Sequence, residues 1–298
     1  MTGGIPMTAS VTLIVLSLVA LATYLHYRHQ QRLTLNNRFT IIIGLRQLIF
    51  LLRFHRRHTH ELLLNGNKTA NHNDTSTPLT ESIAIEALGH SLLNQAETCN
   101  KPMYRITLKQ FKTLTKEWQR YSLQRNQAAH GKAIRHVMYL IDDTLTQCLL
   151  SNDNNQLFQR YQSIWPVTLN ALDSLSRFRF AIQQFSHKSP AMQRELTHQM
   201  DILKRRMNHL AITAEHHEAV PLLDTLFDQV SHIENSNNND QQTQSMLYHF
   251  SLEVSDTLFM LFDEILQQLG DELAIKLPEM KHKHCATIVP IQQMRSGH

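Results

Sequence analysis

Glycine and proline are scarce in this 298-residue chain, eight of each. With so few turn formers, and apolar residues recurring at steps of three and four and not alternating, a strand-rich fold is excluded and an almost all-α one expected. Cysteine is scarcer still. Cys99, Cys148 and Cys285 are odd in number, far apart and without metal-ligand spacing, which excludes a disulfide framework and fits a reducing compartment. No glycine-rich phosphate loop, nucleophile elbow, kinase signature or HExxH occurs, so neither an enzyme, a catalytic residue, a cofactor nor a bound metal is expected. A base-reading motif is missing too, and nucleic acid is not an expected partner.

Charge is absent where it matters most. Between Ile5 and Leu25 there is none, and "MTASVTLIVLSLVALATYL" has the ~20-residue length that crosses a ~30 Å hydrocarbon core. Nothing basic precedes the run and no small-residue cleavage site follows it, so it reads as a retained anchor (1–27) and not as a cleaved signal. No acid and no lysine appear before Glu61, yet seven arginines do: Arg28, Arg32, Arg38, Arg46, Arg53, Arg56 and Arg57. All follow the apolar run. The positive-inside rule then gives a single-pass protein of the inner (cytoplasmic) membrane with everything after Tyr27 in the cytoplasm. With those seven set aside, 22 basic residues face 25 acidic ones, a formal charge of −3 for residues 61–298. The high pI belongs to a juxtamembrane cluster suited to anionic headgroups.

The helix that starts in the membrane is expected to continue as juxtamembrane and first bundle helix (28–64) up to the stop signal Asn65-Gly66-Asn67. Further helices are expected at about 77–98, with Thr77 and Pro78 as N-cap and N1, then about 106–124, 127–150, 156–187 with a kink or restart at Pro166, 190–218, 222–234 and 241–269, the last stopped by Gly270. The fourth carries His130, Ile134, Val137, Ile141, Leu145 and Cys148 on one face. Amphipathic segments of this number and length, joined by short polar loops, pack as antiparallel bundles. A flexible tail, 278–298, completes the chain.

Helical phasing singles out two arginines. Leu45, Ile49, Leu52, Arg56, Thr59 and Leu63 share one stripe of the first helix, so Arg56 sits where a leucine belongs. Arg57 falls with Arg46, Phe50, Arg53 and His60 on a neighbouring stripe that reads as a solvated or membrane-proximal flank. In "TLNALDSLSRFRFAI", Arg179 lies i+4 from Leu175 and i−3 from Ile182 and also points inward, whereas Arg177 lies off that stripe and can pair with Asp173. An inward guanidinium needs a carboxylate, several carbonyls or a bound anion, or it is an ordinary buried or snorkelling arginine. Two converging guanidinium forks suit a small planar oxyanion. The 19 histidines, including His55, His58 and His60 in "FHRRHTHE", lack metal-site spacing beside Arg56 and Arg57. "EHHE" at 215–218 reads as a solvated helix end, and Asp142-Asp143 diverge around their helix.

The stretch "LRQLIFLLRFHRRHTHELLLNGN" resembles the first-helix signature of nitrate- and nitrite-sensing (NIT) domains, "WPVTLNALDSLSRFRFAI" is similar to that family's second signature, and "KEWQRYSLQRNQAAHGKAIRHVMYLIDD" looks like the helices that link them. The resemblance covers about residues 40–270. It implies an all-α domain of two stacked four-helix-type bundles and nitrate or nitrite held by arginines, with Arg56 and Arg179 matching the signature arginines and Arg57 and Arg177 as accessories. Arg57 stands where the family has a glycine, and so does Ser176. NIT domains usually precede an output module, and this chain ends about 28 residues after the last helix, so the resemblance implies an unidentified protein output partner or a homodimer. The alternative is a degenerate domain, an anchored scaffold without ligand, whose arginines are closed off by carboxylates such as Glu61, Glu86 or Asp173.

Overall fold

The computed structural model describes residues 7–64, 76–151, 155–216, 218–234, 239–275 and 277–278. These residues are all-helical: α1 (Met7–Leu64), α2 (Ser76–Gln95), α3 (Lys101–Glu117), a short 3₁₀ turn (Trp118–Arg120), α4 (Leu123–Ser151), α5 (Asn155–Gln184), α6 (Pro190–Thr213), α7 (Ala219–Glu234) and α8 (Asp240–Glu272). The expected stop at Asn65-Gly66-Asn67, Cys285 and the tail 279–298 lie outside the described residues.

The first helix is 58 residues long. Among the described residues it is the one helix long and apolar enough to cross a bilayer. Over residues 15–30 it is bare, with Leu16, Leu18, Leu21 and Leu25 all more than half exposed. From Phe39 its apolar stripe is buried, Ile42, Leu45 and Leu52 completely. Arg38 marks the changeover, donating from Nε to Glu97 at 2.8 Å and from Nη1 to the Gln147 carbonyl at 2.9 Å. The ends of α2 and α4 are thereby fastened to α1.

Packing runs α1 to α2 to α3 to α4 and back to α1, and α5 to α6 to α7 to α8 and back to α5, with α4 against α5. One continuous apolar core joins both sets. The α4 face holds as read: His130, Ile134, Val137, Ile141, Leu145 and Cys148 are all buried.

Several boundaries differ from the sequence reading, each for a local reason. α3 begins at Lys101, about a turn and a half early, because Pro102 occupies its first turn, where a missing N–H costs nothing. α5 runs unbroken through Pro166, which is exposed, so water can reach the carbonyl the proline leaves free. α6 opens as expected, Ser189 capping the Met192 N–H, but closes at Thr213, short of Val220-Pro221. There Glu215 takes a left-handed φ of 59°, and the His216 and Glu215 N–H groups return to the Ala211 and Ile212 carbonyls. This is a Schellman stop built without glycine. α8 ends the same way on Ala274, φ 58°, with Ile275 N–H bonded to the Gly270 carbonyl at 2.8 Å. Gly270 is thus inside the helix, not its terminator. It leaves room for the returning chain, since a Cβ there would lie 2.7 Å from the Ile275 carbonyl oxygen.

Candidate functional site

The arginine stripe read as a solvated flank is buried. Arg46 is 3% exposed, Arg53 8% and His60 6%, while Arg57 is half-buried. The reason is α8. Arg46 and Arg53 are seven residues apart on α1, and Asp263 and Asp256 are seven apart on α8 running the other way. Arg46 Nε donates to Asp263 Oδ1 at 2.6 Å, and Arg53 donates to Asp256, whose other oxygen is 3.9 Å from Arg57. Burial pushes the Arg53 guanidinium down to about 10 against the pull of Asp256. The Phe259 ring lies 4.5 Å beneath the same guanidinium, adding a cation–π contact.

One heptad further the acid is missing. His60 is stacked on Tyr248, ring centroids 3.6 Å apart, and feels His249 where the ladder would place a carboxylate. Around this rung stand Arg56, 4% exposed, and Arg179, 5% exposed. Their inward aim, read from phasing, is what the structure has. Arg179 donates from Nε to Ser251 Oγ at 3.0 Å and from Nη2 to the Ser251 carbonyl at 2.8 Å. Arg56 Nε has no acceptor among the described residues, nor do the buried Tyr248 hydroxyl and Ser255 Oγ have partners there. Burial pulls both arginines downward, and Arg179 is further opposed by the charge of Arg56. His60 is depressed to about 4 by burial and by both guanidiniums, and burial raises Tyr248 while the two arginines draw it back.

Arg53, Arg56, Arg57, Leu252, Ser255 and Asp256 line a cavity of about 20 Å³ beside this cluster. That is room for about one water. Three arginines therefore line the cavity with one carboxylate, Asp256, which Arg53 already holds.

Glu61, Glu86 and Asp173 do not close the arginines off. Glu61 is exposed, Glu86 accepts from Thr115 at 2.9 Å, and Asp173 pairs with Arg135 of α4. The expected Arg177–Asp173 pair is replaced by that contact, because α4 brings a guanidinium across the helix interface. Arg177 is exposed and lines a separate groove between α5 and α6, away from the Arg56 cluster.

The neighbouring histidines form a neutral chain. His130 Nδ1–H donates to the Asn126 carbonyl at 2.8 Å, so His130 Nε2 accepts from His55 Nδ1–H, also at 2.8 Å. His55 Nε2 is then left to accept from Ser82 Oγ at 3.2 Å. Burial depresses His55 to about 4 and His130 well below its ordinary value. Thr59 completes the layer, donating to the His55 carbonyl at 2.7 Å and accepting from Asn126 Nδ2 at 3.0 Å. His58 leaves the group for Glu81, 2.6 Å away, and is raised by that bond.

Sequence reasoning missed Arg46, Arg53, Asp256, Asp263, Tyr248 and Ser251. The recoverable signal was the matching seven-residue spacing of two arginines and two aspartates on distant apolar helices. No family model matches the chain, and no curated protein or solved structure does so either, so what the site does rests on its own geometry.

Proposed function

We propose that the chain is a membrane-anchored, sensor-like protein that binds a small oxyanion, nitrate or nitrite, between Arg56 and Arg179 and signals through a partner. The observation that carries this reading is the unpartnered Nε of Arg56, buried in a cluster whose positive charge exceeds its carboxylates. Stranding such a charge costs several kcal/mol, roughly, and a bound anion offsets that cost. Ser255 Oγ and the Tyr248 hydroxyl supply further donors. An oxyanion is larger than the one-water cavity, so the bound state differs from this one by a shift of α1 against α8 and α5. A ligand that prefers one of two packings moves their populations by its differential affinity. α1 carries that shift to the apolar segment and, through it, to a partner or a second copy. In the same reading the cyclic packing of α1 to α4 and of α5 to α8 makes two stacked four-helix-type bundles, held on the cytoplasmic side of the inner membrane by the positive-inside bias.

One observation favours the second reading, a NIT-like scaffold that has lost its ligand: both bonds of Arg179 are already closed on Ser251. Titration calorimetry of the detergent-solubilised chain with nitrate and with nitrite separates the two. Saturable heat at or below millimolar anion that R56Q and R179Q each weaken at least tenfold supports the sensor. No heat from a folded protein leaves the scaffold.

A further inference from the structure

A second concentration of unopposed positive charge lies outside the Arg56 cluster. α5 and α6 run antiparallel, since Arg160 near the start of α5 bonds Glu215 beyond the end of α6. Between them opens a groove of about 540 Å³, within the size range of small-molecule sites. Arg177 projects into it from α5 and Arg205, Arg206 and His209 from α6, with Ile202 as an apolar floor. These α6 residues recur at steps of three and four and so share one face of that helix. The one carboxylate of the lining, Asp173, is already held by Arg135.

Arg177 and Arg206 have no hydrogen-bond or ion-pair partner among the described residues, and Arg205 reaches only its own Asp201 carbonyl, at 3.3 Å. The half-buried Arg160, by contrast, is engaged by both Glu215 and Glu272. On a helix surface an acid at i±4 can pair with an arginine. Arg177 and Arg205 each have an acid at i−4, but Asp173 is taken by Arg135 and Asp201 offers Arg205 only its carbonyl, so three arginines share one groove without an ion pair, an arrangement that a polyanion completes.

We propose that this groove is a second anion site, binding a compact soluble molecule that carries two phosphate groups. Guanidinium forks match phosphate oxygens in pairs, and two phosphates fit arginines presented from two facing helices. The lining has no Phe, Tyr or Trp, and His209 is its one aromatic ring, so charge contributes more to recognition than base stacking does. Phosphates of lipid headgroups have the same chemistry. On the anchored reading of α1, however, Arg56 stands 28 residues beyond Arg28, about 42 Å along the helix. Arg177, two residues from Arg179, is at that same far level.

The test is titration calorimetry of the full chain in detergent with sodium pyrophosphate and, separately, inorganic phosphate. Pyrophosphate is expected to bind at least tenfold more tightly than phosphate, and the R177Q/R206Q double variant to lose at least tenfold of that affinity. Both side chains are exposed, so the variant is expected to melt like the parent, and R160Q serves as a control outside the groove. R56Q retains pyrophosphate binding if the two sites are separate. Equal affinity in the double variant, or equal affinity for the two anions, overturns the proposal. Displacement of pyrophosphate by an equimolar acidic peptide overturns the small-molecule assignment. Heat that vanishes in phosphatidylglycerol nanodiscs but persists in phosphatidylcholine ones assigns the phosphates to lipid.

Discussion

Arg46 and Asp263 are 217 residues apart in the chain and 2.6 Å apart in space. Both are buried, so each charge depends on the other. Removing one partner strands the second, which costs about 3–5 kcal/mol, whereas replacing both with apolar residues of similar volume is often neutral or stabilising. Asp263→Leu is therefore expected to lower stability by that amount, and Arg46→Met/Asp263→Leu to restore most of it. Urea denaturation of the four proteins of this cycle measures the difference.

Arg56 yields the opposite sign. Its guanidinium is buried with Nε unpartnered among the described residues, so Arg56→Met is expected to stabilise the ligand-free protein, by about 1–3 kcal/mol. The same substitution removes any nitrate-dependent rise in melting temperature. A thermal scan of parent and variant with and without nitrate reads both effects, and a destabilised variant counts against an uncompensated Arg56.

The buried histidines set an acid limit. His55 and His60 are each lowered to about 4 and His130 further, against an ordinary value of 6.5 that the unfolded chain retains. Below pH 6.5 the unfolded state binds protons that the folded state refuses, so stability is complete above that value and falls as pH drops toward 4. Each such histidine contributes a slope of about 1.4 kcal/mol per pH unit. His58, raised by Glu81, acts the other way: its contribution is present below 6.5 and lost as pH rises through its folded value. Urea midpoints from pH 7 to 4.5 are expected to drop steeply. A flat profile would show that these rings titrate normally.

Two helical glycines are expected to respond to alanine with opposite signs. A Cβ at Gly131 meets nothing within 4 Å, so Gly131→Ala gains about 1 kcal/mol of helix propensity. At Gly270 the same gain is outweighed, because the new Cβ would press on the Ile275 backbone oxygen at 2.7 Å. Overpacking of that kind costs about 1–3 kcal/mol. Melting temperatures should move up for the first and down for the second.

The sequence made helices legible wherever one face meets the core, as along α4, and it placed Arg56 and Arg179 inward for the same reason. It failed for Arg46 and Arg53. A stripe of arginines at heptad spacing looks solvated until the aspartates of a helix two hundred residues away are set against it, and no local pattern carries that pairing. Helix ends failed where the stop was made by Glu215 or by Ala274 in place of glycine, since the left-handed turn there is imposed by returning hydrogen bonds and not by a permissive residue.

A continuous helix from Met7 to Leu64 also fixes an angle. Each residue turns the chain by about 100° and advances it about 1.5 Å, so the azimuth at which the bundle faces its surroundings is counted out by the residues between Arg28 and Arg38. One inserted alanine there would swing every surface of the bundle by more than a quarter of a circle relative to the leading segment, while seven would return it to within about 20° of where it began. Insertions and deletions in that stretch thus keep the bundle's azimuth only in near-whole numbers of turns, and the segment behaves as a vernier whose divisions are single amino acids.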